Sequence, residues 1–145
     1  MRFYFVVDGP PVGWQRAGEN QITGRHFTQP KTAYQEARVA YAYRGIAHGF
    51  RFPAKTPLIL IVTAYLPIPA SASKKRKQQM ADNEILPTVK PDADNVWKLC
   101  ADALDGVAFD NDKDIFFSQC VKLYSDRPRT EILLSDERET INGWR

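Results

Sequence analysis

Leu58-Ile59-Leu60-Ile61-Val62-Thr63-Ala64-Tyr65-Leu66 is the longest apolar run in the chain, and most of the architecture follows from it. Nine residues rich in Ile, Val, Leu and Thr have the length and composition of a β-strand. The run is far short of the roughly 20 apolar residues a membrane helix needs. Both of its faces are apolar, which predicts a central strand; Pro53 and Pro57 lead into it, and Pro67 and Pro69 close it.

Working outward toward the N-terminus, residues 32–49 carry a helical pattern. Tyr34, Ala37 and Tyr41 form one stripe with Val39, Ala42 and Ile46 beside it; Thr32 is placed as N-cap and Gly49 as the residue past the end. Residues 12–30 have no sustained period and read as a loop, with a short hairpin at His26-Phe27-Thr28. Phe3-Tyr4-Phe5-Val6-Val7 is a strand halted by Asp8-Gly9-Pro10-Pro11. Toward the C-terminus, residues 71–82 are polar and basic, either a short exposed helix capped by Ser71 or Ser73 or a mobile arm. Residues 94–105 form a helix with Val96, Cys100, Ala103 and Leu104 inward and Gly106 at its end. Residues 115–124 and 130–134 read as a hairpin across Ser125-Asp126-Arg127-Pro128-Arg129, and 136–145 as a polar tail. The order β-α-β-α-β-β predicts one α+β domain over 1–145, a mixed β-sheet with two main helices packed on it.

The bulk numbers agree with a soluble domain. The chain has 145 residues, 43% hydrophobic and 26% charged, with a net charge of +3. The first strand is too short for a secretory signal, so a cytoplasmic location is expected, with no membrane association. Cys100 and Cys120 are too few for a disulfide framework or a zinc site and read as buried free thiols. His26 and His48 read as surface residues, which leaves a histidine-based metal site without ligands.

The chemistry concentrates in Lys90-Pro91-Asp92-Ala93-Asp94-Asn95-Val96-Trp97-Lys98, then Asp102-Ala103-Leu104-Asp105-Gly106, then Asp110-Asn111-Asp112-Lys113-Asp114. Two aspartates two apart cannot share a helix face, but they converge where extended chain enters a helix. Pro91 disfavours helix before it and Asp94 is a natural N-cap, so Asp92 and Asp94 are expected at a helix mouth. Lys98 follows Asp94 by one turn. Gly106 lets the chain return and bring the 110–114 turn back opposite. Carboxylates held this close need a cation, and hard oxygen donors suit Mg2+, with Mn2+ as the alternative. That combination serves phosphodiester hydrolysis. The competing reading is a polar turn cluster. An EF-hand is excluded, because position six of the last run is Ile115 and position twelve is Val121.

Taken together, Lys90-Pro91-Asp92-Ala93-Asp94-Asn95, Lys98, Asp102-Ala103-Leu104-Asp105-Gly106 and an acidic turn before a strand resemble the signature of RusA-type Holliday junction resolvases. The order of elements and the early Gly9-Pro10-Pro11 are similar as well. The resemblance implies a homodimer that nicks four-way DNA junctions symmetrically in recombination and repair, using magnesium held by three aspartates beside an essential lysine. By position, Asp92 and Asp94 match the first two ligands and Lys98 the lysine. Asn95 and Asp102 match further motif positions. The family pattern ends in two aspartates, a spacer and a glutamine; Asn111, Asp112 and Asp114 stand there, so Asp112 takes the third ligand's place, with Asp110 as substitute. No organic cofactor is implied.

Junction DNA requires phosphate contacts, and Lys74, Lys75, Arg76 and Lys77 form the obvious electrostatic footprint, joined by Arg16, Arg25, Lys31 and Lys90. Trp14, Phe27 and Trp97 are available to stack at an opened junction, or to pack in the core or a dimer contact. Two other readings compete: a structure-selective nuclease for flaps or branched phage DNA, and a non-catalytic nucleic-acid-binding module.

Overall fold

The computed structural model describes residues 1–142. Its main sheet has four strands, β1 (Arg2–Asp8), β4 (Leu58–Pro67), β5 (Ile115–Ser125) and β6 (Arg129–Ser135), in the order β1-β6-β4-β5. A two-stranded ribbon, β2 (Gly18–Glu19) with β3 (His26–Phe27), lies in the loop after β1. The helices are α1 (Pro30–Ala47), α2 (Lys74–Ala81) and α3 (Ala93–Leu104), with single 3-10 turns at Asp112–Asp114 and Arg138–Thr140. This is the α+β, mixed-sheet architecture expected from the pattern of elements.

One face of the sheet makes the core. Alternation along β1 buries Phe3, Phe5 and Val7, which stand opposite Leu134, Ile132 and Thr130 of β6. β6 in turn sets Leu134 and Ile132 against Leu60 and Val62 of β4. Val39, Tyr43 and Ala47 of α1 and Val96, Leu99, Cys100 and Ala103 of α3 cover that face. Phe52 meets Phe3 and Phe50 edge to face at one end, with Phe50 and Phe52 centroids 5.0 Å apart, and Phe3 and Phe50 lie tilted to each other.

Four local expectations need correction. Residues 115–124 and 130–134 do form strands, but they are not a hairpin. β4 lies between them, parallel to β5 and antiparallel to β6. The doubly apolar β4 needs neighbours on both edges, and the short turn 126–128 reaches across its end. α1 starts at Pro30, with Gln29 at the cap, because proline is pre-set for the first helical turn. Thr32 is therefore inside the helix, buried, with its hydroxyl 3.3 Å from Gln15 Oε1. The stripe that α1 buries is Thr32, Gln35, Val39, Tyr43 and Ala47, while Tyr34 and Tyr41 face outward. The fourth correction is at α3, where Asp92 and not Asp94 occupies the N-cap position.

Residues 71–82 do contain a helix: Ser73 caps α2 by accepting the Arg76 N–H at 3.2 Å. Met80 anchors α2 against Leu66 and Tyr124. Of the polar tail expected at 136–145, Asp136 and Glu137 hold the N-terminal ammonium at 2.7 and 3.1 Å; residues 143–145 lie outside the described residues.

Candidate active site at the mouth of α3

The entry to α3 is built by three crossing segments. The Lys90–Pro91 peptide is cis and delivers Asp92 to the helix start. Lys122 of β5 donates to the Val89 carbonyl and fixes the approach from below. From the other side the loop after β1 lies flat on the helix mouth, where the Trp14 N–H donates to the Asn95 carbonyl at 2.8 Å. Gly13 permits this closeness: a Cβ there would stand 2.9 Å from Pro91 Cβ and 3.2 Å from Asn95 Cβ. Neither neighbour is the free end of a flexible side chain. Gly13→Ala is therefore expected to lift the loop, lower stability by about 1–3 kcal/mol and slow DNA cutting. Thermal unfolding checks the first part, and a parent-like midpoint would show that the loop yields without cost.

Asp92, Asp94 and Asp112 are all exposed. Asp92 sits at the N-cap without using its side chain as a cap, and Asp94 lies in the first turn, where the helix dipole favours an anion. Asp112 opens the 3-10 turn before β5. Its neighbours are occupied elsewhere. Asp110 pairs with Arg51 at 3.1 Å, and Asp114 accepts the Lys55 N–H at 3.0 Å and pairs with Lys113 at 3.4 Å. Among the described residues the carboxylates of Asp92, Asp94 and Asp112 make no hydrogen bond or ion pair. Asp110 thus differs from Asp112 in already having a cationic partner, on an exposed surface.

Lys98 lies one turn along α3, held 3.5 Å from Asp102 and 5.0 Å from the centre of the Trp14 ring. Burial pushes the Asp102 carboxyl above its ordinary range; Lys98 opposes this, and the charges of Asp112 and Asp105 add to it. Glu36, contributed by α1, is shifted upward in the same way, by burial first and by Asp102 second, with Lys98 again opposing. Lys98 is the cation that opposes both shifts. The donors are hard oxygens of the kind a divalent cation takes. Among the described residues, however, no group of three His, Cys, Asp or Glu side chains is gathered tightly enough to hold a metal ion.

The other residues marked in the sequence fall into distinct places. Lys31 and Lys90 line one cleft with Asp92, Asn95 and the 10–15 loop. Lys74 and Lys77 border a second groove, between α2 and the β5–β6 turn, while Lys75 and Arg76 are exposed on the same helix. Arg16 and Arg25 are exposed in the loop that carries the β2–β3 ribbon. Trp97 is structural: its ring packs on the core and its Nε1–H donates to the Leu60 carbonyl at 3.0 Å. Trp14 packs on the core edge and faces Lys98. Phe27 is exposed, its ring lying against Gly18. Both cysteines are free thiols. Cys100 is buried and its thiol pushed up by burial, while Cys120 is half-buried and pushed up to about 11.

The model of the family described as Endodeoxyribonuclease RusA matches residues 8–135. The chain belongs to that family. The match spans most of the chain, the mouth of α3, Lys98 and the 110–114 turn included. The activity that goes with RusA membership is endonucleolytic cutting of DNA. A Bacillus subtilis (strain 168) protein, the uncharacterized protein YqaN, is 31% identical over 136 residues, which span 91% of this chain and 94% of that protein. Among the described residues no helix is long and apolar enough to cross a membrane.

Proposed function

We propose that this RusA-family chain is a divalent-cation-dependent endonuclease that resolves four-way DNA junctions by paired, symmetric nicks, acts as a homodimer, and serves recombination and repair. What supports the reading is the family match together with Asp92 and Asp94 at the mouth of α3 and Asp112 in the turn before β5, three exposed carboxylates without a protein partner among the described residues. Magnesium, or manganese in its place, would supply charge neutralisation at the phosphate and a water of lowered pKa. The chain's own part is positional. Asp92, Asp94 and Asp112 would hold the ion. Lys98, steadied by Asp102 and the Trp14 face, would offer its ammonium to the charge that grows on the phosphate oxygens. Lys31 and Lys90, in the cleft beside Asp92, would grip the strand being cut.

The direct test is a gel assay of a labelled four-way junction, a flap and a linear duplex, with and without magnesium. Cutting confined to the junction, dependent on the ion and placed symmetrically on opposing strands, is the expected result. Equal cutting of the flap would reduce the reading to a structure-selective nuclease, and binding without any cutting would leave a nucleic-acid-binding module.

α2 carries the expected electrostatic contribution. Replacing Lys74, Lys75, Arg76 and Lys77 together with alanine should weaken junction binding and flatten its dependence on salt. If all four contact phosphates, the slope of log K against log[salt] falls by about 3–4. A slope equal to the parent's would mean that α2 is only a solvated face.

A further inference from the structure

The loop after β1 carries an arm, the β2–β3 ribbon, whose residues 19–28 are all exposed. Gly18 pairs with Phe27 and Glu19 with His26, and the Phe27 ring lies so close over Gly18 that a Cβ has no room there. Beyond these pairs the chain closes in a tight turn. The Asn20 N–H donates to the Arg25 carbonyl and the Asn20 carbonyl accepts from the Gly24 N–H, both at 2.8 Å. The Asn20 side chain takes the Ile22 and Thr23 N–H groups, each at 2.9 Å, which fixes the turn from within. The apex is therefore ordered, and it presents Ile22, 96% exposed, more than any other large apolar side chain among the described residues. Single apolar residues scattered over a surface need no explanation. An isoleucine held at the apex of an ordered turn is a different case, because the turn keeps it from any cover the chain provides.

Both stems of the arm stand at the rim of the candidate active site. Trp14 and Gln15 precede it and Lys31 follows it, and all three line the cleft that holds Asp92 and Asn95. The Trp14 N–H on the Asn95 carbonyl and the Thr32 hydroxyl 3.3 Å from Gln15 Oε1 tie the stems down. From Pro10 to Lys31 the lysines and arginines are Arg16, Arg25 and Lys31, and the one acid is Glu19. We propose that this ribbon enters the branch point of the DNA, with Ile22 wedged between bases and Arg16 and Arg25 holding phosphates beside it. An apolar tip covers the base faces it exposes, and flanking cations meet the backbone that spreads around it. Isoleucine suits the role, because its β-branched side chain is stiff and loses little freedom on insertion. Wedging breaks a stack in linear duplex and costs least at a branch point, where the strands part. The arm thus favours branched over linear DNA, a selection that carboxylates holding an ion against a phosphate do not make by themselves. A protein partner is the poorer fit, because Asn20, Gln21, Thr23 and Arg25 around Ile22 offer no apolar patch.

The proposal deepens the junction-cutting function proposed above and rests on it. Its test uses the full chain and an uncleavable four-way junction carrying 2-aminopurine at the branch point, a base that brightens when it loses its stacking neighbours. The parent should raise the fluorescence on binding. Ile22→Ala should remove most of that rise and weaken junction binding by about tenfold, with linear-duplex binding changed by less than about twofold. Ile22→Leu, which keeps an apolar tip, should keep both the rise and the affinity. Arg25→Ala removes a phosphate contact, so it should weaken binding to junction and duplex alike and lower the salt slope by about 1. Because Ile22 is almost wholly exposed, Ile22→Ala should melt with the parent, which separates a lost wedge from a folding defect. A parent that neither binds nor cuts a four-way junction in magnesium would overturn the function and the arm together. A parent that cuts the junction but gives no rise in fluorescence, or an Ile22→Ala chain that matches the parent in both readouts, would overturn the wedge alone.

Discussion

Asp92→Asn is expected to lower the rate of DNA cutting by about a thousandfold or more while leaving folding and junction binding intact. The asymmetry follows from the position of Asp92. It holds the N-cap of α3, yet its side chain makes no cap hydrogen bond, so the amide removes a negative charge without removing a contact that supports the helix. Asparagine is also as good an N-cap as aspartate. Single-turnover cutting of a four-way junction in magnesium, beside gel-shift binding and a thermal melt, separates the three properties. Asp94→Asn and Asp112→Asn should behave alike, whereas Asp110→Asn should mainly loosen the Arg51 contact and retain most of the activity. Undiminished cutting by the Asp92 variant would reject the assigned site.

The second large effect lies beneath the site. Phe109 is fully buried, and it immediately precedes the acidic turn that carries Asp112. Its carbonyl accepts the Gly106 N–H at 2.9 Å, which closes the return of the chain after α3. Gly106, at φ +76°, is the residue that permits the reversal. Phe109→Ala is expected to cost about 3–5 kcal/mol, as other large aromatic truncations in packed cores do. Because the turn loses its anchor, cutting should fall even in the fraction that remains folded. Urea unfolding with activity measured well below the midpoint checks both parts. A loss of under about 1 kcal/mol would show that the core collapses around the missing ring.

Much of this was legible in the residues. The run 58–66 became β4 at the centre of the sheet because a strand apolar on both faces has few other places to go. Asp92 and Asp94 were placed at a helix mouth by the proline before them and the amphipathic pattern after them, and α3 forms there. The strand order was hidden. Periodicity identifies β5 and β6 as strands but carries no record that β4 separates them, and a turn rich in Asp, Pro and Ser imitates a hairpin. α1 has two apolar stripes that fit a 3.6-residue period equally well, so the pattern alone did not show which faces the core and which lines the groove beside β1. Glu36 was missed because its partners, Lys98 and Asp102, lie far along the chain. The sequence offered little signal: Glu36 follows Gln35, which α1 buries, but is itself only half-buried.

Manganese binding followed by electron paramagnetic resonance reaches the central claim most directly. The account predicts a site on the parent chain, measured with uncut junction analogue present, that is lost in Asp92→Asn, Asp94→Asn and Asp112→Asn alike and retained in Asp110→Asn. Equal manganese uptake by a chain lacking all three carboxylates, with cutting preserved, would contradict it.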